Sequence, residues 1–339
     1  MPSGLEWELQ AIVAHLDPSA REYAEEQIGA VWSAGGTSFG KLLTLVFDAE
    51  RPPEVRAAAC WVLGRLGNAD AVPTLIVGLA DDNAEVRAGA AEALGELGDL
   101  RALHPLIHCF EGDGDPEVRE AAGEALGQMK SPEAVRALAR MLKDRSKHPD
   151  DRSRAAESLG DLALKRFSAV PEAIPALVGA LEDEEACIRH DSAIALGYIQ
   201  DTRAAGSLIC LLEGDPEPSV REAAAGALWW IGSTEAIEPL VRVLARTDEE
   251  PAVRGRAANA LGHLPDGRAL RALLSALDDP SAEIRYWSAL ALGEMGDGRA
   301  IPKLESLTDD DATVEPWGQV GDAARQALSK ILGRTELSL

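Results

Sequence analysis

Eight arginines mark the chain at an almost constant interval. Arg56, Arg87, Arg119, Arg152, Arg189, Arg221, Arg254 and Arg285 are separated by 31, 32, 33, 37, 32, 33 and 31 residues. Eight positions after each comes Gly64, Gly95, Gly127, Gly160, Gly197, Gly262 or Gly293, and Trp229 stands there in the sixth copy. A register held this long demands one supersecondary unit stacked on copies of itself, because a single unit cannot bury its own apolar face. The 339 residues alone would suggest about two domains. The period replaces that estimate with one array.

Each unit reads as two helices. In "EVRAGAAEALGELGD", "EVREAAGEALGQMKS" and "EIRYWSALALGEMGD" small and apolar residues recur at helical spacing. A second apolar stretch follows a short turn, as in "AVPTLIVGL" and "AIPALVGAL". Pro73, Pro175 and Pro302 open such stretches, where a missing N–H costs nothing. A glycine inside a helix costs about 1 kcal/mol relative to alanine, so its regular return implies close helix contact or a late bend. Trp229 is expected to force a local adjustment or turn its ring outward. The 37-residue interval places extra residues at Lys165 to Val170, a longer loop between paired helices. The expected organisation is an N-terminal helical cap or degenerate repeat over 1–50, with helical text at Leu5–Leu16 and Arg21–Trp32. A regular array follows over 51–308, then a polar insertion and capping helix over 309–339.

The recurring Val-Arg or Ile-Arg, Ala-rich run and Leu-Gly resemble the short HEAT-like repeats of phycobilin lyases and of bacterial and archaeal scaffold proteins, over about residues 51–332. The resemblance implies an all-α fold, a right-handed superhelical α-solenoid of HEAT-like helix pairs, with the Val-Arg helices on its inner, concave face. It also implies a structural role for the repeat arginines, which interact with nearby acids or loops, and Asp82, Asp115, Glu184 and Glu249 stand four or five residues ahead of their arginines.

On such a face, positions one, five and nine after each arginine share a helical stripe. In the first half they include Trp61, Glu92, Glu96, Glu120, Glu124, Glu157 and Asp161, an acidic set. In the second half they include His190, Ile194, Tyr198, Trp230, Asn259, His263, Tyr286 and Leu290, with Tyr198 and Trp230 equivalent in adjacent repeats. The expected binding surface combines a mostly apolar, aromatic groove with carboxylates that attract a basic part of the same protein partner. Two plainer readings stand beside it: the aromatic residues fill gaps left by irregular repeats, and the carboxylates keep the chain soluble.

Net charge separates these function classes from others. With 57 acidic and 33 basic side chains the chain carries −24, which disfavours nucleic acid and anionic membranes as partners. The sequence has no basic apolar leader pattern and no uncharged apolar run of about 18 residues, so a cytoplasmic location is expected. Cys60, Cys109, Cys187 and Cys210 lack metal or redox-pair spacing and are expected as buried thiols. Metal-dependent HEAT-like hydroxylases carry His-acid pairs in several repeats; here only His190-Asp191 sits at that place. His104 and His108 lack a third ligand. The "SAGGTSFG" segment lacks the Gly-Lys ending of a phosphate loop and reads as a flexible turn. The resulting expectation is a protein-binding scaffold or adaptor with no cofactor, no metal and no catalytic residue. The alternative is a phycobilin lyase-like factor binding a bilin or its acceptor protein, based on the aromatic helices around Trp61, Trp229, Trp230, Tyr286 and Trp287.

Overall fold

A computed structural model describes residues 36–336. The proposed helical segments Leu5–Leu16 and Arg21–Trp32 lie outside the described residues. Packing divides the chain at Ala173/Ile174 into two compact units.

The first unit holds α1 (Gly36–Val46), α2 (Pro53–Arg65), α3 (Val72–Gly78), α4 (Ala84–Leu97), α5 (Leu103–Gly112), α6 (Pro116–Gln128), α7 (Pro132–Lys143) and α8 (Pro149–Leu164). The arginine-bearing helices α2, α4, α6 and α8 pack each against the next, with α3, α5 and α7 behind them. The expected turn at "SAGGTSFG" is corrected here: Gly36 to Gly40 open α1, because Leu42, Leu45 and Val46 bury against the following pair and packing overrides poor helix propensity. The extra residues of the long interval are a loop as expected, residues 165–169, after α8 has run to 16 residues.

The second unit holds α9 (Ile174–Ala180), α10 (Ala186–Ile199), α11 (Ala205–Gly214), α12 (Pro218–Ile231), α13 (Ile237–Ala245), α14 (Pro251–Gly262), α15 (Gly267–Ala276), α16 (Ala282–Met295), α17 (Ile301–Ser306) and α18 (Val320–Glu336). Here α10, α12, α14, α16 and α18 form the same kind of row. Between α17 and α18, β1 (Thr313–Val314) and β2 (Gly318–Gln319) pair antiparallel, Thr313 opposite Gln319. Each unit is thus an all-α solenoid segment of stacked helix pairs. Among the described residues no helix is long and apolar enough to cross a membrane.

The recurring glycine is explained by the seam between neighbouring arginine-bearing helices. A Cβ on Gly64 would stand 2.7 Å from the Cα of Ala93, and on Gly95 2.8 Å from that of Ala125. In the second unit the same atom on Gly197 would stand 2.8 Å from Ala227 Cα, and on Gly262 2.7 Å from Ala291 Cα. The helices approach until backbone meets alanine, so glycine and alanine are selected together.

The arginines tie loops rather than line a site. Arg189 Nη1 donates to the carbonyls of Asp183 and Glu184 in its own loop, at 2.9 and 3.1 Å, and its Nε and Nη2 grip Asp215 of the next repeat. Arg87 likewise takes Asp113, Arg119 takes Asp151, Arg221 takes Glu249, Arg254 takes Asp279 and Arg285 takes Asp310. Of the acids that stand four or five residues ahead, Asp82 and Glu184 offer backbone carbonyls, Asp115 caps α6 through Glu117 N–H, and Glu249 serves Arg221 of the preceding repeat. Asp115 is engaged at its own helix N-terminus, whereas the guanidinium extends along the stack to the neighbouring loop.

Candidate functional site

Three hollows lie on the rows of arginine-bearing helices, two in the first unit and one in the second. The first, of about 340 Å³, is lined by Trp61 and Arg65 of α2, Glu92 and Glu96 of α4, and Glu124 and Gln128 of α6. Arg65 Nη1 lies 3.8 Å from Glu96 Oε1. Partial burial nevertheless pushes the Glu96 carboxyl above its usual range, against the pull of Arg65.

The second hollow, of about 620 Å³, includes Glu120, Ser153, Arg154 and Glu157 between α6 and α8. Arg154 sits among three carboxylates: it pairs with Glu120, and its Nη1 lies 3.3 Å from Glu124 Oε1 and 2.6 Å from Glu157 Oε2. The six acidic residues of the first unit's stripe are all exposed, though this one guanidinium draws three of them together. Asp161 lines neither hollow.

The second unit's hollow is smaller and more aromatic. It is about 260 Å³, with His190, Ile194 and Tyr198 of α10, Glu222, Gly226, Trp229 and Trp230 of α12, and Arg256 of α14 along its walls. Trp230 is 42% exposed, unusual for so large an apolar ring. Its ring centroid lies 6.1 Å from that of Tyr198, with the planes at 74°. Trp229, the residue that replaces the seam glycine, is half-buried and rests 4.6 Å from Trp230 and 5.2 Å from the ring of His263. Arg256 Nη2 donates to Glu222 Oε1 at 3.0 Å.

Four stripe residues of the second unit stand apart from this groove. Asn259 is half-buried, and its carbonyl lies 3.2 Å from Nδ1 of the exposed His263. Leu290 is half-buried. Tyr286, expected on the partner-facing surface, is 9% exposed. Its hydroxyl donates to the carbonyl of Trp317 at 3.1 Å, and Trp287 packs 5.5 Å from the Trp317 ring, so the hairpin insertion covers this part of α16. Burial, with the charge of Asp322, pushes the Tyr286 phenol up.

Trp229 and Arg256 of the groove fall outside the one-five-nine stripe. Trp229 is at position eight and Arg256 at position two, and both are within reach because 3.6 residues per turn places position eight one turn from five, and two beside five and nine. Arg154 also stands at position two, which was the available signal.

Other candidates resolve as structure. His190 Nδ1 lies 2.8 Å from Asp191 Oδ1. Among the described residues no three His, Cys, Asp or Glu side chains are grouped to hold a metal. His104 and His108 are exposed, His104 lying 3.9 Å from Glu133. The expectation of four buried thiols is corrected: Cys60 and Cys109 are buried, whereas Cys187 in α10 and Cys210 in α11 are exposed.

A family model described as HEAT repeats matches residues 41–122, 103–197, 174–249 and 243–329. The chain is 33% identical over 111 residues to deoxyhypusine hydroxylase of Gallus gallus, a stretch covering 32% of this chain and 35% of that protein. It is 38% identical over 93 residues to phycocyanobilin lyase subunit alpha of Synechococcus elongatus, covering 26% and 32%. It thus spans about a third of the length of the curated relatives it matches. Among solved structures it is similar to Kap95p of a complex with RanGDP, at a TM-score of 0.65 and 14% identity over 98% of this chain and 50% of that one. It is also similar to Escherichia coli YibA, at 0.55 and 24% over 80% and 95%. These two likenesses are of fold.

Proposed function

We propose, from the premise that this chain belongs to the HEAT-repeat family, that it is a non-enzymatic scaffold or adaptor binding another protein on its arginine-bearing helices. One observation carries the reading: the exposed Trp230 stands beside the half-buried Tyr198 of the adjacent repeat in one groove. Aromatic pairs of this kind are the usual anchors of protein interfaces. The exposed carboxylates of the first unit supply a separate surface for a basic segment.

Charge favours a polypeptide over a pigment. Tetrapyrrole propionates call for Arg or Lys, whereas Arg154 and Arg256 are already held by carboxylates and the Trp61 hollow is lined by Glu92, Glu96 and Glu124. The lyase-like reading is therefore the weaker one.

Photo-reactive phenylalanine at position 198 or 230, with position 271 on α15 as the control, tests this in lysate of the source cell. A discrete protein adduct from 198 and 230 is expected, absent when competing unmodified chain is added but retained when the competitor carries Tyr198→Ala and Trp230→Ala. Adducts arising only from position 271 overturn the binding face.

A further inference from the structure

We infer that the groove of the second unit receives one cationic side chain, a lysine or arginine, from a polypeptide partner. The inference rests on the protein-binding reading and names the chemistry that the groove selects.

Ring geometry comes first. The near-perpendicular Tyr198 and Trp230 form a corner, and Trp229 is tilted 42° from Trp230 behind it. Aromatic faces carry the negative end of the ring quadrupole, so a ring face left open beside this edge-to-face contact attracts a cation and repels a carboxylate. Apolar side chains would also fill such a corner, and the charged lining distinguishes the two. Glu222 shares the groove and is 35% exposed at its side chain. Its Oε1 accepts from Arg256, which leaves Oε2 without a partner among the described residues. A guest ammonium or guanidinium seated on the rings can therefore also meet a carboxylate oxygen.

Arg256 would favour an anion were it unpaired, but it is held by Glu222, so the pair carries no net charge and the preference for a cation rests on the rings together with Oε2 of Glu222. The Arg256 side chain lies along Gly226, whose absent Cβ would stand 3.7 Å from Arg256 Cδ. The volume of about 260 Å³ admits a long side chain with its stem, not a helix. A chain of net charge −24 draws a basic segment towards this surface and disfavours an acidic one.

The test uses the full chain with ¹⁵N-labelled indoles, the Trp230 signal being assigned through Trp230→Phe. Acetyl-Gly-Xaa-Gly-amide probes are titrated with Xaa as arginine, lysine, citrulline, norleucine or glutamate. The arginine and lysine probes should move the Trp229 and Trp230 signals and saturate on the order of fivefold or more tighter than citrulline and norleucine. Glu222→Gln should reduce that preference while the Trp61 and Trp287 signals stay fixed. Equal binding of the neutral probes overturns the inference and leaves the protein-binding reading standing, because the groove would then take stems without regard to charge. Preference for glutamate overturns it in favour of an anion at Arg256. No movement with any probe overturns it as well, and the photo-cross-linking result then decides the wider reading independently.

Discussion

Arg189 and Asp215 form a two-pronged ion pair across adjacent repeats, Nε to Oδ2 at 2.7 Å and Nη2 to Oδ1 at 2.9 Å, with side chains only 10% and 4% exposed. Removing one partner leaves the other charged, buried and unpaired. Asp215→Ala should therefore destabilise the second unit by roughly 3 kcal/mol or more, read as an earlier urea transition by circular dichroism. A cost below about 1 kcal/mol would show that the pair is effectively solvated.

The same pair sets a pH dependence. Burial pushes the Asp215 carboxyl up, but hydrogen bonds from Arg189 and the Glu217 N–H, with the charges of Arg189 and Arg221, bring it below its ordinary 3.8. Asp113, Glu249 and Asp310 are lowered in the same way by their arginines. A folded-state pKa below the unfolded one gives stability that is complete only above the unfolded values, from about pH 5 upward, and is lost as pH falls through the folded values. Thermal unfolding followed from neutral pH downward should show a plateau and then a steep loss on the acid side. Replacing Asp215 and Asp310 together should shallow that loss.

Gly197 and Gly206 make opposite predictions from the same substitution. Gly197→Ala would drive its Cβ to 2.8 Å from Ala227 Cα, so the α10–α12 seam must open, at a cost of about 1–3 kcal/mol. Gly206 in α11 has nothing within 4 Å of that position. Gly206→Ala should be neutral or stabilising by up to about 1 kcal/mol through helix propensity. Melting temperatures of the two variants give the comparison.

Thiol chemistry should divide the cysteines in pairs. Burial pushes the Cys60 thiol up to about 12 and the Cys109 thiol to about 11, and only thiolate reacts. Iodoacetamide should label Cys187 and Cys210 in the folded chain and reach Cys60 and Cys109 only in denaturant, as peptide mapping would show. Native labelling of Cys60 would mean that the first unit opens locally.

Arg154 offers a test of electrostatic attraction by the first unit. It partly cancels Glu120, Glu124 and Glu157, so Arg154→Gln should speed association of a basic protein captured by the chain and steepen its salt dependence. Between about 0.1 M and 1 M salt the Debye length falls from roughly 10 to 3 Å, which should bring the variant's rate back towards the parent's. An unchanged rate at low salt would assign these carboxylates to solubility.

The period of arginine and glycine made the helix pairs legible because each repeat faces the same packing problem, and a residue that solves it once is needed every time. The placement of Tyr198 beside Trp230 follows from that periodicity, whereas for the glycines it implied close contact or a bend, and the structure shows the contact, as of Gly64 with Ala93. Departures from the repeat were harder to read. Nothing in the stripe indicates that the hairpin around Trp317 folds back over Tyr286, since that contact depends on an insertion with no counterpart elsewhere in the array. The link from Arg221 to Glu249 was also hidden, because an acid close in sequence competed with one that only the stacking brings near.

The arginine contacts run in one direction along each unit, so its two ends are not equivalent. Arg56, Arg87, Arg119, Arg189, Arg221, Arg254 and Arg285 reach forward to a carboxylate of the next loop, and Asp310, in the segment ahead of the hairpin, supplies the last one, for Arg285. Trimming a unit from its amino-terminal side would leave a loop carboxylate that water can hydrate and that still caps its own turn, as Asp215 does through the Glu217 N–H. Trimming from the carboxyl-terminal side would strand a part-buried guanidinium. Deletions should therefore be tolerated more readily from the front of the stack than from the back, an asymmetry of unravelling written into a single repeated side chain.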